Sequence, residues 1–145
     1  MKVKDILLQK GPEVFSIGEE KTLQEALKVL VNNNIGVLIV LDFNAKISGI
    51  ISERDIIRSA HQNPDLFLSV LVKDVMTKDI IIVEPDDTLE YVESIITEER
   101  IRHLPVVQNQ VLIGMVSIGD LIKVQLSSTI ADNKYLHDYI SGNVR

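Results

Sequence analysis

Apolar and polar positions along the chain alternate in two periods, and the same order of patterns occurs twice. Residues Val14-Phe15-Ser16-Ile17 and Ile80-Ile81-Ile82-Val83 are short apolar runs bounded by Gly, Glu-Pro and Asp residues, which predicts two strands. Each is followed by helical spacing. Behind Thr22, a predicted N-cap with Glu25 as capping-box partner, Leu23, Ala26, Leu27, Leu30 and Val31 fall on one face, and Asn32-Asn33-Asn34 stops the helix. Behind Thr88 the stripe is Tyr91, Val92, Ile95 and Ile96, ending at Glu98-Glu99-Arg100. Paired apolar runs around a polar loop come next: residues 37–41 with 47–51, and 104–107 with 111–116, each read as a β-hairpin. A second helix then starts at a serine, running through Ile56 and Ile57 in the first copy and Leu121, Ile122 and Val124 in the second.

These elements form a repeat, which sets the architecture before any local assignment. Val3-Lys4-Asp5-Ile6 matches Val72-Lys73-Asp74-Val75, Thr22-Leu23 matches Thr88-Leu89, and Gly49 matches Gly114, so the offset drifts from 69 to 66 to 65. The drift falls between predicted elements, where insertions are tolerated. The expected fold is mixed α/β (α+β), with two β-α-β-β-α units over residues 1–60 and 72–126. Residues 61–71 connect them, with a turn at 61–65 and a short helix from Leu66. In the 127–145 tail, Tyr135 to Gly142 is expected to form a last helical turn.

Composition narrows the partners. A chain of 145 residues with 46% hydrophobic positions can fill a core, and its net charge of −6 with no Lys/Arg cluster argues against nucleic-acid binding. Cysteine is absent, which excludes disulfides and thiolate metal sites. No run has the length of a signal peptide's apolar region or a membrane span, so a soluble, cytoplasmic protein is expected. His61 and His137 have no metal-ligand spacing with one another or with carboxylates, and no nucleophile–base pair marks a catalytic centre.

The candidate chemistry lies where each hairpin hands over to its second helix. Gly49-Ile50-Ile51-Ser52-Glu53-Arg54-Asp55 and Gly114-Met115-Val116-Ser117-Ile118-Gly119-Asp120 share the pattern Gly-x-x-Ser-x-x-Asp. Taken singly, Ser-x-x-Asp is a helix N-terminus: serine caps and aspartate favours the positive end of the macrodipole. Its recurrence after an apolar strand points also to a ligand, because α/β sheets hold ligands at the carboxyl ends of strands. A serine hydroxyl and free N–H groups suit a phosphate, and a carboxylate one turn on suits a ribose cis-diol.

The whole set of motifs resembles the CBS-domain family, in the form of a tandem pair often called a Bateman module. The resemblance is carried by Val72-Lys-Asp-Val-Met-Thr77, the Thr-Leu helix starts, Arg102-His103-Leu-Pro-Val-Val and Gly49-Ile-Ile-Ser-Glu-Arg-Asp-Ile, in this order and twice over. It implies two units packed pseudo-symmetrically through their sheets and a regulatory, non-catalytic module. It also implies an adenosine ligand such as AMP, ADP, ATP or S-adenosylmethionine in the cleft between the units, a homodimer and a regulated protein partner. Carried over residue by residue, Asp55 and Asp120 hold ribose hydroxyls, Ser52 and Ser117 reach phosphate, and Ile50 and Met115 flank the base. The lining role of Val14, Phe15, Ile80 and Ile81 rests on the resemblance; on pattern alone they are core. Basic groups are unequal, since Arg54 faces Gly119 and Arg102-His103 face Gly36-Val37 across the repeat, so a phosphate-bearing ligand should prefer one site. Arg54 reads equally as a solvent-facing helix arginine, and His103 as a core-edge histidine. The alternative function is a structural or dimerisation module in which the motif only caps.

Overall fold

In a computed structural model, residues 1–11 and 13–130 are described, with side chains to residue 127. The hairpins form where the alternation puts them. Strands β2 (Val37–Leu41) and β3 (Ile47–Ser52) pair antiparallel with Val37 opposite Ser52, and β4 (His103–Gln108) and β5 (Val111–Ser117) repeat this with His103 opposite Ser117. Both ladders slip at the same place, after Val40 and after Val106. Strand β1 (Ser16–Gly18) adds parallel to β2, shorter than the run predicted from Val14.

The predicted strand at 80–83 is not formed. Only Val83 reaches the second sheet, donating its N–H to the Pro105 carbonyl and accepting from Val107 N–H. The reason is one residue. In the first unit Ile39 N–H donates to the Phe15 carbonyl at 3.2 Å; the residue in Ile39's place in the second is Pro105, which has no N–H to give. The Ile81 carbonyl, in the place of Phe15, therefore has no ladder donor in Pro105, and Ile80 N–H turns back to Lys78 O at 3.0 Å.

The four expected helices are α2 (Leu23–Asn33), α3 (Glu53–Gln62), α4 (Leu89–Glu99) and α5 (Ile118–Ile130). Thr22 and Thr88 cap through their hydroxyls, which accept from Glu25 N–H and Tyr91 N–H; the Glu25 side chain closes no capping box. Asn34 and Arg100 end the helices in the left-handed conformation, at φ of 55° and 56°. The outer members of both predicted stripes, Val31 and Tyr91, are exposed, while Leu23, Ala26, Leu30, Val92, Ile95 and Ile96 are buried. In place of the short helix expected from Leu66, the chain forms two 3-10 turns, Phe67–Ser69 and Val72–Asp74. The expected turn at 135–142 lies outside the described residues.

A further helix, α1 (Val3–Lys10), precedes everything the pattern predicts, and it joins the units. Val3 and Ile6 are buried in the core of the second unit, among Val83, Val92, Leu104 and Val116. Val72, which opens the second unit in sequence, is buried in the core of the first, with Leu23, Leu38 and Ile51. The exchange is reciprocal in the backbone. Val3 N–H donates to Asp87 O and Val72 N–H to Lys21 O; Lys4 N–H donates to Pro85 O and Lys73 N–H to Glu19 O. Ion pairs follow the same symmetry: Lys4 with Asp86 at 3.0 Å and Lys73 with Glu20 at 2.9 Å, both too exposed to add much stability.

Candidate functional site

Each Gly-x-x-Ser-x-x-Asp stretch spans the end of a strand and the first turn of a helix. Ser52 N–H and hydroxyl donate to Asp55 Oδ2 at 2.9 and 3.1 Å, while Asp55 N–H returns a bond to Ser52 Oγ at 3.4 Å. In the second copy, Ser117 N–H donates to Asp120 Oδ2 at 2.8 Å, and Asp120 N–H to Ser117 Oγ at 3.2 Å. Aspartate thus stands where a capping box carries Glu or Gln, and the strand-end N–H is satisfied from within the motif. Both glycines are places of close approach. A Cβ on Gly49 would meet Thr77 O at 2.7 Å, and one on Gly114 would meet Leu7 Cδ2 at 2.6 Å.

Beyond the shared geometry the two copies differ. At the first, Ile50 exchanges two backbone bonds with Thr77, N–H to O at 3.0 Å and O to N–H at 2.8 Å. Asp55 is 7% exposed, with Arg58 Nη1 at 3.6 Å from Oδ1. At the second no described segment exchanges backbone bonds with Met115 in this way. Instead the Lys10 ammonium donates to Met115 O and to Asp120 Oδ2, each at 2.8 Å. Burial pushes the Asp120 carboxyl upward, but the hydrogen bonds from Lys10 and Ser117 and the Lys10 charge outweigh it, leaving it below the usual carboxylate value. His103 is held below its ordinary value by burial first and by the Lys10 charge second, against a smaller opposing pull from Asp120.

A cleft of about 280 Å³ opens between the units beside the second copy. Val14, Phe15 and Val37 line it from the first unit, and His103, Met115 and Ser117 from the second, with Lys10 and Glu13 at its side. Five of the residues singled out from sequence therefore meet there: Val14, Phe15, His103, Met115 and Ser117. Asp120 lines an adjoining depression of about 190 Å³ with Gln9, Lys123 and Ser127, and Lys10 borders both spaces. Ile50, Ser52 and Asp55 form the other copy, under Thr77. Arg54 and Arg102 are exposed, Ile80 is half-buried, and Ile81 packs against the second core. Among the described residues no group of His, Asp and Glu is arranged to hold a metal, and no helix is long and apolar enough to cross a membrane.

Lys10 is a candidate functional residue that the motifs do not mark; its only signal in the sequence is the offset of 69, which pairs it with Asp79, an opposite charge at the equivalent position.

The fold and motifs have known counterparts. The CBS domain family profile matches residues 3–62 and 72–127. The mitochondrial CBS domain-containing protein CBSX3 of Arabidopsis thaliana is 32% identical over 97% of this chain and 72% of its own length. Some relatives are much longer: the chain spans 21% of the inosine-5'-monophosphate dehydrogenase of Nitrosopumilus maritimus. Among solved structures, the CBS-domain containing protein ATU1752 from Agrobacterium tumefaciens superposes with a TM-score of 0.81 at 33% identity, over 86% of this chain and 92% of that one. The CBS domain pair of protein MJ0100, solved with 5'-methylthioadenosine and S-adenosyl-L-methionine, gives a TM-score of 0.77 at 26% identity, over 88% and 98%. With two profile matches in the register of its internal repeat, the chain belongs to the CBS-domain family and carries a tandem CBS pair.

Proposed function

We propose that this CBS pair is a regulatory module that binds an adenosine compound, AMP, ADP, ATP or S-adenosylmethionine, between its two units and signals to a partner protein by a change in their relative arrangement. The observation that carries the reading is the cleft, in which Val14 and Phe15 of one unit face Met115, Ser117 and His103 of the other beside Asp120. In this reading the base lies between Met115 and the Val14-Phe15 wall, Asp120 accepts from the ribose diol, and Ser117 reaches phosphate. Ile50, Ser52 and Asp55 form a second site of the same kind, with Ile80 and Ile81 as its wall, and Arg54 and Arg102 act at the rims. A ligand shared by both units biases their arrangement only by its differential affinity for the two states. A cytoplasmic homodimer is part of the proposal. Calorimetry with AMP, ATP and S-adenosylmethionine tests it: micromolar binding by the wild type, lost in Asp120→Ala plus Asp55→Ala, is expected, and unchanged binding by the double variant would refute it.

A second reading, a structural or dimerisation module, is favoured by two features. Both aspartates are already engaged as caps, and Ile57 and Ile122, at equivalent positions of α3 and α5, are 67% and 48% exposed. Thermal stability separates the two. A specific nucleotide at a hundred times its dissociation constant adds about 2.7 kcal/mol, and a dimerisation module gains nothing from it.

A further inference from the structure

The Lys10 ammonium is the one lysine group that the described structure places in direct contact with a candidate ribose carboxylate. It sits at the end of α1, a helix contributed by the other end of the repeat, and its side chain is 32% exposed against 12% for Asp120. At that depth the pair is screened less than a surface ion pair, and its charge-assisted bond is correspondingly hard to replace. A ribose diol that takes Asp120 must first dislodge the ammonium. An uncharged nucleoside leaves Lys10 with only the Met115 carbonyl as partner. A ligand carrying a phosphate supplies the lost counter-charge.

We propose that Lys10 makes the Asp120 site selective for a phosphorylated adenosine compound over the uncharged nucleoside, its ammonium passing from Asp120 to the phosphate when the diol takes the carboxylate. The inference rests on the adenosine reading above and adds the ligand's charge. Two placements support it. Lys10 borders both the 280 Å³ cleft and the 190 Å³ depression, so a rotation of its flexible stem carries the charge between them. Lys123 lines the depression as well and has no ion pair among the described residues, which puts a second ammonium within the same region. Glu13 on the cleft wall is the opposing charge and does not line Asp120's depression. At the Asp55 copy the residue in Lys10's place is Asp79, so selectivity of this kind belongs to one site.

The test is a comparison of AMP with adenosine, which differ only in the phosphate, by calorimetry on the wild type, Lys10→Met and Lys10→Arg, with melting curves to establish that each is folded. The aliphatic stem is kept in Lys10→Met, and Lys10→Arg keeps the charge should the first variant fail to fold. In Lys10→Met, the preference for AMP over adenosine is expected to fall about tenfold, because the competitor for Asp120 is removed for both ligands while a charge-assisted bond is lost for AMP alone. The ratio of the two affinities in Lys10→Arg stays near the wild type. A ratio unchanged in Lys10→Met, with both ligands still bound, overturns the role of Lys10 and leaves the adenosine reading standing. If the wild type binds neither ligand, the selectivity proposal falls, and the titrations with ATP and S-adenosylmethionine decide the adenosine reading separately.

Discussion

The two Ser-x-x-Asp half-sites have nearly the same internal bonds and opposite surroundings, and the difference comes from the segments that cross them. Val3-Lys-Asp-Ile-Leu-Leu-Gln-Lys10 makes an eight-residue helix, whereas Val72-Lys-Asp-Val-Met-Thr-Lys-Asp79 turns for three residues and then runs extended past Ile50. Leu8 sustains a helix better than the β-branched Thr77 that stands in its place. At the helix C-terminus Lys10 meets the negative end of the macrodipole favourably, and an aspartate in the position of Asp79 would meet it unfavourably. One crossing segment consequently seals the Ile50 backbone. The other leaves the Met115 carbonyl to the Lys10 ammonium, which also bonds Asp120, beside a cleft. Two copies of one motif are thereby given different surroundings by eight residues that belong to neither.

The sharpest way to break the comparison is to remove the exchange. Residues 72–127 expressed alone lack Val3 and Ile6, both buried in that unit's core. Their loss costs about 3–6 kcal/mol of apolar burial, a large part of a domain's stability, so no cooperative unfolding transition is expected by circular dichroism. Next in size is Gly49→Ala, whose methyl group would press on the Thr77 carbonyl at 2.7 Å and Met76 Sδ at 2.8 Å. Urea denaturation should read a loss of about 2–3 kcal/mol. Gly114→Ala presses at 2.6 Å on the end of the Leu7 side chain, which can move, and should cost about 1 kcal/mol. An equal cost at both would mean that the two crossings are equally rigid.

Smaller than the effect at Gly49 is the division of labour between the aspartates. Asp55→Ala removes the cap that serves both Ser52 N–H and hydroxyl and should lower stability by about 1–2 kcal/mol. Asp120→Ala should affect nucleotide binding more than stability, measured by calorimetry beside the same urea titration. The least effect is that of His103. Its folded pKa is depressed, so the unfolded chain takes up a proton first as pH falls through its own value of about 6.5. Stability should decline below that pH and level off once the folded state is protonated too. In His103→Gln this part of the slope should disappear from a pH series of melting temperatures.

Much of the candidate site was legible before any coordinates, because a duplicated strand-to-helix junction leaves a mark in both period and residue type. Ser52, Asp55, Ser117 and Asp120 cap as their types demand, and Val37 and His103 stand opposite the two serines as the repeat implies. The missing strand at 80–83 was legible too, in Pro105, had the parallel ladder been written out donor by donor. Helix α1 was not, since Val3, Ile6 and Leu7 make too short a stripe to stand out as periodic.

The sequence by itself determined the twofold repeat, its hairpins, its capped helix starts and the pair of carboxylates, because each depends on bonds within a few residues or on a repeat visible along the chain. Only the tertiary structure decided that each unit's opening residues complete the other's core, that Thr77 covers Ile50, and that Lys10 holds Asp120 from 110 positions away. Those contacts join residues whose separation along the chain carries no periodic signal. What selects them is the fit of apolar volume and charge after folding.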